Sequence, residues 1–264
     1  MKRREIRFLQ SGGRRIRLIC LRHCASGRPC PGILWIHGGG YATGMAAMVY
    51  VSVGRMLAKC FGAVVVSPEY TRSGRAPYPA ALEDCTAALQ YMRDHASELG
   101  IRADRIIVGG ESAGGGLAAA VCLWARDNGI PVFAQLPLYP MLDCEDTPSS
   151  RDNHGVGWNT RRNHRAWAKY LRALSETESV PKYASPSRET DYRGLPPCYT
   201  FVCEGEPFYD ETLAYVRHLR EAGVPARVDV YPGAVHAFDL LRFWTEPARQ
   251  SRRVLRDACA EWFT

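Results

Sequence analysis

The chain has 264 residues, 46% hydrophobic and 23% charged, enough for one large α/β domain with a substantial core and too few to require two. Its net charge of +7 comes from scattered arginines (Arg3, Arg4, Arg14, Arg15, Arg161, Arg162, Arg252, Arg253) and forms no block of the kind nucleic-acid binding needs, so no nucleic-acid partner is expected. No run is long enough for a membrane span. Residues 1–7 are charged with no apolar stretch behind them, and the 10 cysteines show neither a C-x-x-C pair nor zinc spacing, so a reduced, cytoplasmic protein without metal or cofactor is expected.

Taken in order, residues 4–9 and 14–22 alternate around Ser11-Gly12-Gly13, a hairpin signal that gives the sheet an antiparallel start. A turn at 27–32 leads to a buried strand at 33–36, which runs straight into His37-Gly38-Gly39-Gly40-Tyr41. A helix is expected over about 45–60, and a second buried strand at 63–66 ends in Ser67-Pro68-Glu69-Tyr70. From Tyr78-Pro79-Ala80 a long helix runs to about residue 99, with Ala81, Leu82, Cys85, Ala88, Leu89 and Met92 on its inward stripe.

Ile106-Ile107-Val108 reads as a short buried strand, followed by Gly109-Gly110-Glu111-Ser112-Ala113-Gly114 and then an Ala-rich helix. A strand at 132–138 precedes Tyr139-Pro140-Met141-Leu142-Asp143. From 144 to about 186 the chain turns polar and rich in Arg and Trp, with one helical piece at 163–174; this stretch is too long for an ordinary connection and reads as an inserted cap. A strand at 198–203, a helix at 208–223, a strand at 227–231 and a C-terminal helix at about 247–263 complete the chain. Strands alternating with helices imply a mostly parallel central sheet covered on both faces, with ligands bound beyond the C-terminal strand ends.

The chemistry concentrates at those ends. Gly110-x-Ser112-x-Gly114 lies on a strand–turn–helix bend, the setting of a nucleophile elbow: glycines flank a strained serine whose Oγ is lifted from the sheet, and the Ala113 N–H sits at a helix N-terminus. A serine nucleophile needs a base, an acid to orient it, and oxyanion donors. Of the 7 histidines, His37 belongs to the glycine loop, His23, His95 and His218 fall within strand or helix patterns, and His154 and His164 lie in the inserted stretch. That leaves His236, in the loop after the last strand. The loop after the preceding strand offers Glu204, Glu206 and Asp210; Glu206 has the best position, with Asp210 the alternative. The N–H groups of the triple glycine can join that of Ala113. Alone, three glycines read as a flexible loop; behind a buried strand and upstream of the Ser112 motif they read as an oxyanion device.

His37-Gly38-Gly39-Gly40, Pro68-Glu69-Tyr70, Tyr78-Pro79-Ala80-Ala81-Leu82-Glu83-Asp84, Gly110-Glu111-Ser112-Ala113-Gly114-Gly115, Tyr183-Ala184-Ser185-Pro186 and Gly233-Ala234-Val235-His236-Ala237-Phe238 together resemble the hormone-sensitive-lipase-like family of α/β-hydrolases, from about residue 31 onward. The resemblance implies one α/β-hydrolase domain over 1–264 with a cap insertion at about 144–186. It also implies Ser112 as nucleophile, His236 as base, and Gly39, Gly40 and Ala113 as oxyanion donors. Glu69 and Glu83 would be supporting acids near the site.

Two departures stand out. The family's Asp-Pro-Leu-x-Asp-Glu run is here Glu206-Pro207-Phe208-Tyr209-Asp210-Glu211, which puts Glu206 in the acid slot, 30 residues before His236. Only 36 residues precede His37, so a reduced cap and a more open pocket are expected. The activity implied is ester hydrolysis, with a small-molecule ester as substrate; short acyl chains are expected because the inserted stretch is polar and shows no apolar interfacial helix. An amidase, arylformamidase or small peptidase using the same triad is the alternative, and a non-catalytic ligand receptor the least favoured reading. The resemblance also suggests a homodimer through the strand at 227–231.

Overall fold

The computed structural model describes residues 3–24, 28–175, 179–233 and 235–264. Gly27, where the first turn is expected to begin, and Ala234, in the loop before His236, lie outside them.

Strands β1 (Arg3–Ser11) and β2 (Arg14–Arg22) form the expected hairpin, antiparallel and in register from Arg3 opposite Arg22 to Ser11 opposite Arg14. The sheet continues through β3 (Cys30–Ile36), β4 (Val64–Pro68), β5 (Ile101–Glu111), β6 (Ala134–Leu138), β7 (Cys198–Cys203) and β8 (Ala226–Tyr231), in the spatial order β1-β2-β4-β3-β5-β6-β7-β8. β2 meets β4 antiparallel, and every pairing from β4 to β8 is parallel.

Two packed layers account for the apolar runs. Leu34 and Ile36 of β3, Val64 and Val66 of β4, and Ile106 and Val108 of β5 face one core. Their neighbours Ile33, Trp35, Val65 and Ile107 face the other. A strand buried on both sides has no polar face to show, which is why these segments read as continuous apolar runs. The first core is covered by α2 (Ala80–Asp94), α4 (Ala113–Asp127), α6 (Thr160–Leu171) and α7 (Tyr209–Glu221), the second by α1 (Val53–Phe61) and α9 (Glu246–Ala258).

Element boundaries depart from expectation where capping intervenes. The helix expected over 45–60 is a 3₁₀ turn (Ala46–Val51) followed by α1, divided at Ser52, whose Oγ caps α1 by accepting from the Arg55 N–H at 3.1 Å. The helix expected to reach 99 stops at Asp94, and a separate four-residue helix, α3 (Ala96–Leu99), follows. The strand of the serine motif begins at Ile101, five residues earlier than its apolar run suggests. Two four-residue helices were not legible: Pro148–Arg151, and Phe238–Leu241 directly behind His236. Among the described residues, no helix is long and apolar enough to cross a membrane, and no group of His, Cys, Asp and Glu side chains is arranged to hold a metal ion.

Candidate active site

The bend between β5 and α4 is as tight as its glycines imply. Ser112 holds φ 58° and ψ −122°, a conformation that L side chains rarely adopt. A Cβ on Gly110 would overlap the carbonyl oxygens of Ile36 and Gly114, and one on Gly114 would overlap that of Ile36. Glycine is therefore required on both sides for the helix to sit against β3. The Ser112 N–H donates to the Leu138 carbonyl (3.0 Å), and its own carbonyl accepts from Gly116 (2.9 Å) and Met141 (3.1 Å), so the strained residue is held from three directions. As the first residue of α4, Ala113 has no intrahelical acceptor for its N–H.

His236 is brought to Ser112 across 124 residues of sequence: Nε2 lies 2.8 Å from Ser112 Oγ, and Nδ1 lies 2.7 Å from Glu206 Oε2. Because a buried carboxylate accepts, Nδ1 carries the proton and Nε2 is free to accept from the serine hydroxyl. Ser112 and His236 are each 6% exposed, and Glu206 is fully buried. Burial raises the Glu206 pKa, an effect that the adjoining imidazole offsets only in part. The imidazole is wedged edge-on between Tyr139 (centroids 5.2 Å apart) and Phe208 (5.0 Å). The other acid candidate, Asp210, points elsewhere: its Oδ2 accepts from the Ser149 N–H at 2.7 Å.

The glycine loop packs against this serine. A Cβ on Gly38 would lie 2.9 Å from the Glu111 carbonyl oxygen and 3.3 Å from Ser112 Cβ. Gly39 (φ 121°) and Gly40 (φ 56°) turn the chain, and the Gly39 carbonyl accepts from the Ala42 and Thr43 N–H groups at 3.1 and 2.9 Å. Among the described residues, the N–H groups of Gly39 and Gly40 donate to no oxygen. His37 fastens the loop from below. Its Nδ1–H donates to the Gly38 carbonyl (2.8 Å), its ring stacks on Tyr70 (4.1 Å), and burial pushes its pKa down to about 4, which keeps it neutral. The expected nucleophile, base, acid and oxyanion donors thus lie together at the C-terminal ends of β3, β5, β7 and β8.

The family model described as alpha/beta hydrolase fold matches residues 33–240. The chain belongs to the hormone-sensitive-lipase-like α/β-hydrolases. Among this family's curated proteins, it is 32% identical over 217 residues to Esterase LipI of Mycobacterium tuberculosis, covering 81% of this chain and 68% of that protein. It is also 32% identical over 212 residues to the acetyl esterase of Salmonella paratyphi B, covering 78% of this chain and 64% of that one. The chain thus matches about two thirds of the length of these relatives. Among solved structures it superposes on a bacterial heroin esterase (TM-score 0.90, 34% identity, 99% of this chain and 85% of that one). It also superposes on esterase LipW of Mycobacterium marinum (TM-score 0.91, 28% identity, 99% and 82%).

Other hydrolase-family residues fall where their motifs suggest, with two refinements. Glu69 accepts from Arg17 (2.8 Å) and from the Ala46 N–H (3.1 Å), tying β4 to the segment after the glycine loop. Glu83 meets Arg14 at 2.6 Å but is half-exposed. Its neighbour Asp84 is the buried acid, accepting from Arg14 (2.9 Å) and from the Thr71 N–H (2.7 Å). The apolar residues around it on α2 were the available signal, since a carboxylate on a buried stripe demands partners. Glu111, beside the serine, is also buried. Its Oε1 accepts from Trp35 Nε1 at 2.9 Å, and burial, with Asp239 nearby, pushes its pKa up to about 8. Burial also raises Asp239 to about 6 and the Cys203 thiol to about 12.

One side chain of the stretch between β6 and β7 reaches the glycine loop: the indole of Trp158 lies over Gly40. A cleft of about 690 Å³ lies along α7, lined by Asp210, Tyr215 and His218 among others, away from Ser112 and His236.

Proposed function

We propose that this protein is a serine carboxylesterase acting on short-chain acyl esters. The observation that carries the reading is the continuous hydrogen-bonded line from Ser112 Oγ through both imidazole nitrogens of His236 to Glu206. His236 Nε2 takes the Ser112 proton as Oγ attacks the ester carbonyl. The tetrahedral oxyanion forms against the N–H groups of Gly39, Gly40 and Ala113. His236 then returns the proton to the departing alkoxide, the alcohol leaves, and the same imidazole activates a water that releases the carboxylic acid from Ser112. Glu206 holds the Nδ1–H tautomer and balances the imidazolium while it exists.

Esterase and acetyl-esterase relatives support ester over amide substrates and short over long acyl groups. In this reading the 144–186 stretch is the cap over the site; its exposed face on α6, carrying Arg161, Arg162, Arg165 and Lys169, is polar and unlike an interfacial lipase lid. A cytoplasmic location, where free cysteines stay reduced, belongs to the same reading. So does a homodimer through β8, the last strand of the sheet.

The test is hydrolysis of p-nitrophenyl esters from acetate to palmitate by wild type and Ser112→Ala. The expected result is serine-dependent turnover that peaks at acetate or butyrate. Turnover retained by Ser112→Ala, or a maximum at long chains, would refute it.

A further inference from the structure

The space above the glycine loop is taken by one side chain. A Cβ on Gly40 would run into Cη2 of Trp158 and lie 3.1 Å from its Cζ2 and Cζ3, so the six-membered edge of the indole rests on the Gly40 backbone. The ring centre is 6.3 Å from those of His236 and Phe208. At its far edge, Nε1 donates to Oδ1 of Asn163, a buried residue of α6, at 3.3 Å. Gly157, at φ 92°, leads into it, and a Cβ there would be 3.8 Å from the His236 carbonyl oxygen. The segment therefore passes over the histidine loop before setting the indole on the glycines. The ring touches two sides of the reaction centre and is tethered on a third.

An acyl group on Ser112 with its oxygen at the Gly40 N–H must send its chain outward from a point beside that glycine. The alcohol departs on the other side, where His236 Nε2 protonates it. Resting on Gly40, the indole edge is placed to meet a chain leaving that side. We propose that Trp158 is a specificity-determining residue that sets the upper acyl length, admitting acetyl and similarly short groups and turning away longer chains. This rests on the carboxylesterase reading above and narrows it. Steric discrimination of this kind is worth roughly 10–200-fold per methylene at a closed pocket wall, so removing the wall should register clearly.

The experiment measures kcat/KM of wild type, Trp158→Ala, Trp158→Leu and Trp158→Phe on p-nitrophenyl acetate, butyrate, hexanoate and octanoate. The quantity read is the octanoate-to-acetate ratio, which cancels any loss of catalytic power common to all chain lengths. A second series holds the acyl group at acetyl and varies the size of the alcohol. The proposal expects the acyl ratio to rise at least tenfold in Trp158→Ala, less in Trp158→Leu and least in Trp158→Phe, while the alcohol series shifts less than threefold. Should Trp158→Ala fail to fold, the Leu and Phe variants carry the same ordered expectation. An acyl ratio unchanged within threefold in every folded variant, or a shift confined to the alcohol series, would overturn it while leaving the esterase reading intact. A wild type inactive on every ester would remove both readings.

Discussion

Among the described residues, Tyr41, Ser112, Tyr139 and Ala237 are the non-glycine residues that hold positive φ, at 57°, 58°, 35° and 57°; Tyr41 follows the glycine loop, Tyr139 packs on the His236 ring and Ala237 follows that histidine. Each such conformation costs about 1–3 kcal/mol and persists only where its surroundings enforce it. For Ser112 the enforcing groups are the flanking glycines and the hydrogen bonds to Leu138, Gly116 and Met141. The same logic separates the two acid candidates. Glu206 is buried against Nδ1, whereas Asp210 serves the Ser149 N–H. Replacing Glu206 with Gln leaves no anion to balance the imidazolium, so kcat should fall by roughly 10²–10⁴. Asp210→Asn should stay within a few-fold of wild type; steady-state kinetics that reversed this order would give the role to Asp210. That Ser112, His236 and Glu206 lie within hydrogen-bond reach of one another was legible, because motif and chain order single them out. An apolar stretch marks Asp84 and Glu111 as carboxylates in need of partners, but their donors, Arg14 and Trp35, lie about 70 or more residues away in sequence and are seen only in the fold.

At the scale of elements, the turn from β5 into α4 is the feature least tolerant of change. A methyl on Gly114 collides with the carbonyls of Ile36, the last residue of β3, and of His37 just beyond it, and backbone cannot yield as a flexible side chain can. Gly114→Ala should cost about 2–3 kcal/mol and lower the melting temperature by roughly 5–10 °C. A calorimetric midpoint within 1–2 °C of wild type would show that the turn relaxes. Strands buried on both faces announced themselves as apolar runs, and the helices by their periodicity. The breaks did not. Ser52 interrupts an unbroken apolar stretch with a capping hydroxyl that was available as a signal, but the short helix behind His236 has no sequence mark beyond its position.

For the whole molecule, alternation of strands and helices with an antiparallel hairpin at the front was enough to give the mostly parallel, eight-stranded sheet and to bring the site to one edge. How the 144–186 stretch sits was not legible, because Trp158 finds its place through contacts with Gly40 and Phe208, far from it in the chain. Global stability carries its own signature. Glu111 has a pKa near 8 in the folded chain against 4.5 when free, so the folded state holds a proton the unfolded state releases. Its stabilisation is complete below pH 4.5 and is lost as pH rises through 8, by at most about 5 kcal/mol. Glu111→Gln, which keeps the acceptor for Trp35, should match wild type near pH 4.5 and melt higher at pH 8. Parallel melting curves across that range would contradict this assignment.

Everything proposed for the site depends on Ser112 being an activated nucleophile. The most direct test is treatment with a fluorophosphonate, which is attacked by an activated serine and loses fluoride, followed by mass spectrometry of the digested protein. One adduct is expected, on the peptide carrying Ser112, forming in parallel with loss of ester turnover and formed far more slowly in Glu206→Gln. An adduct at another residue, or full inactivation with Ser112 unmodified, would contradict it.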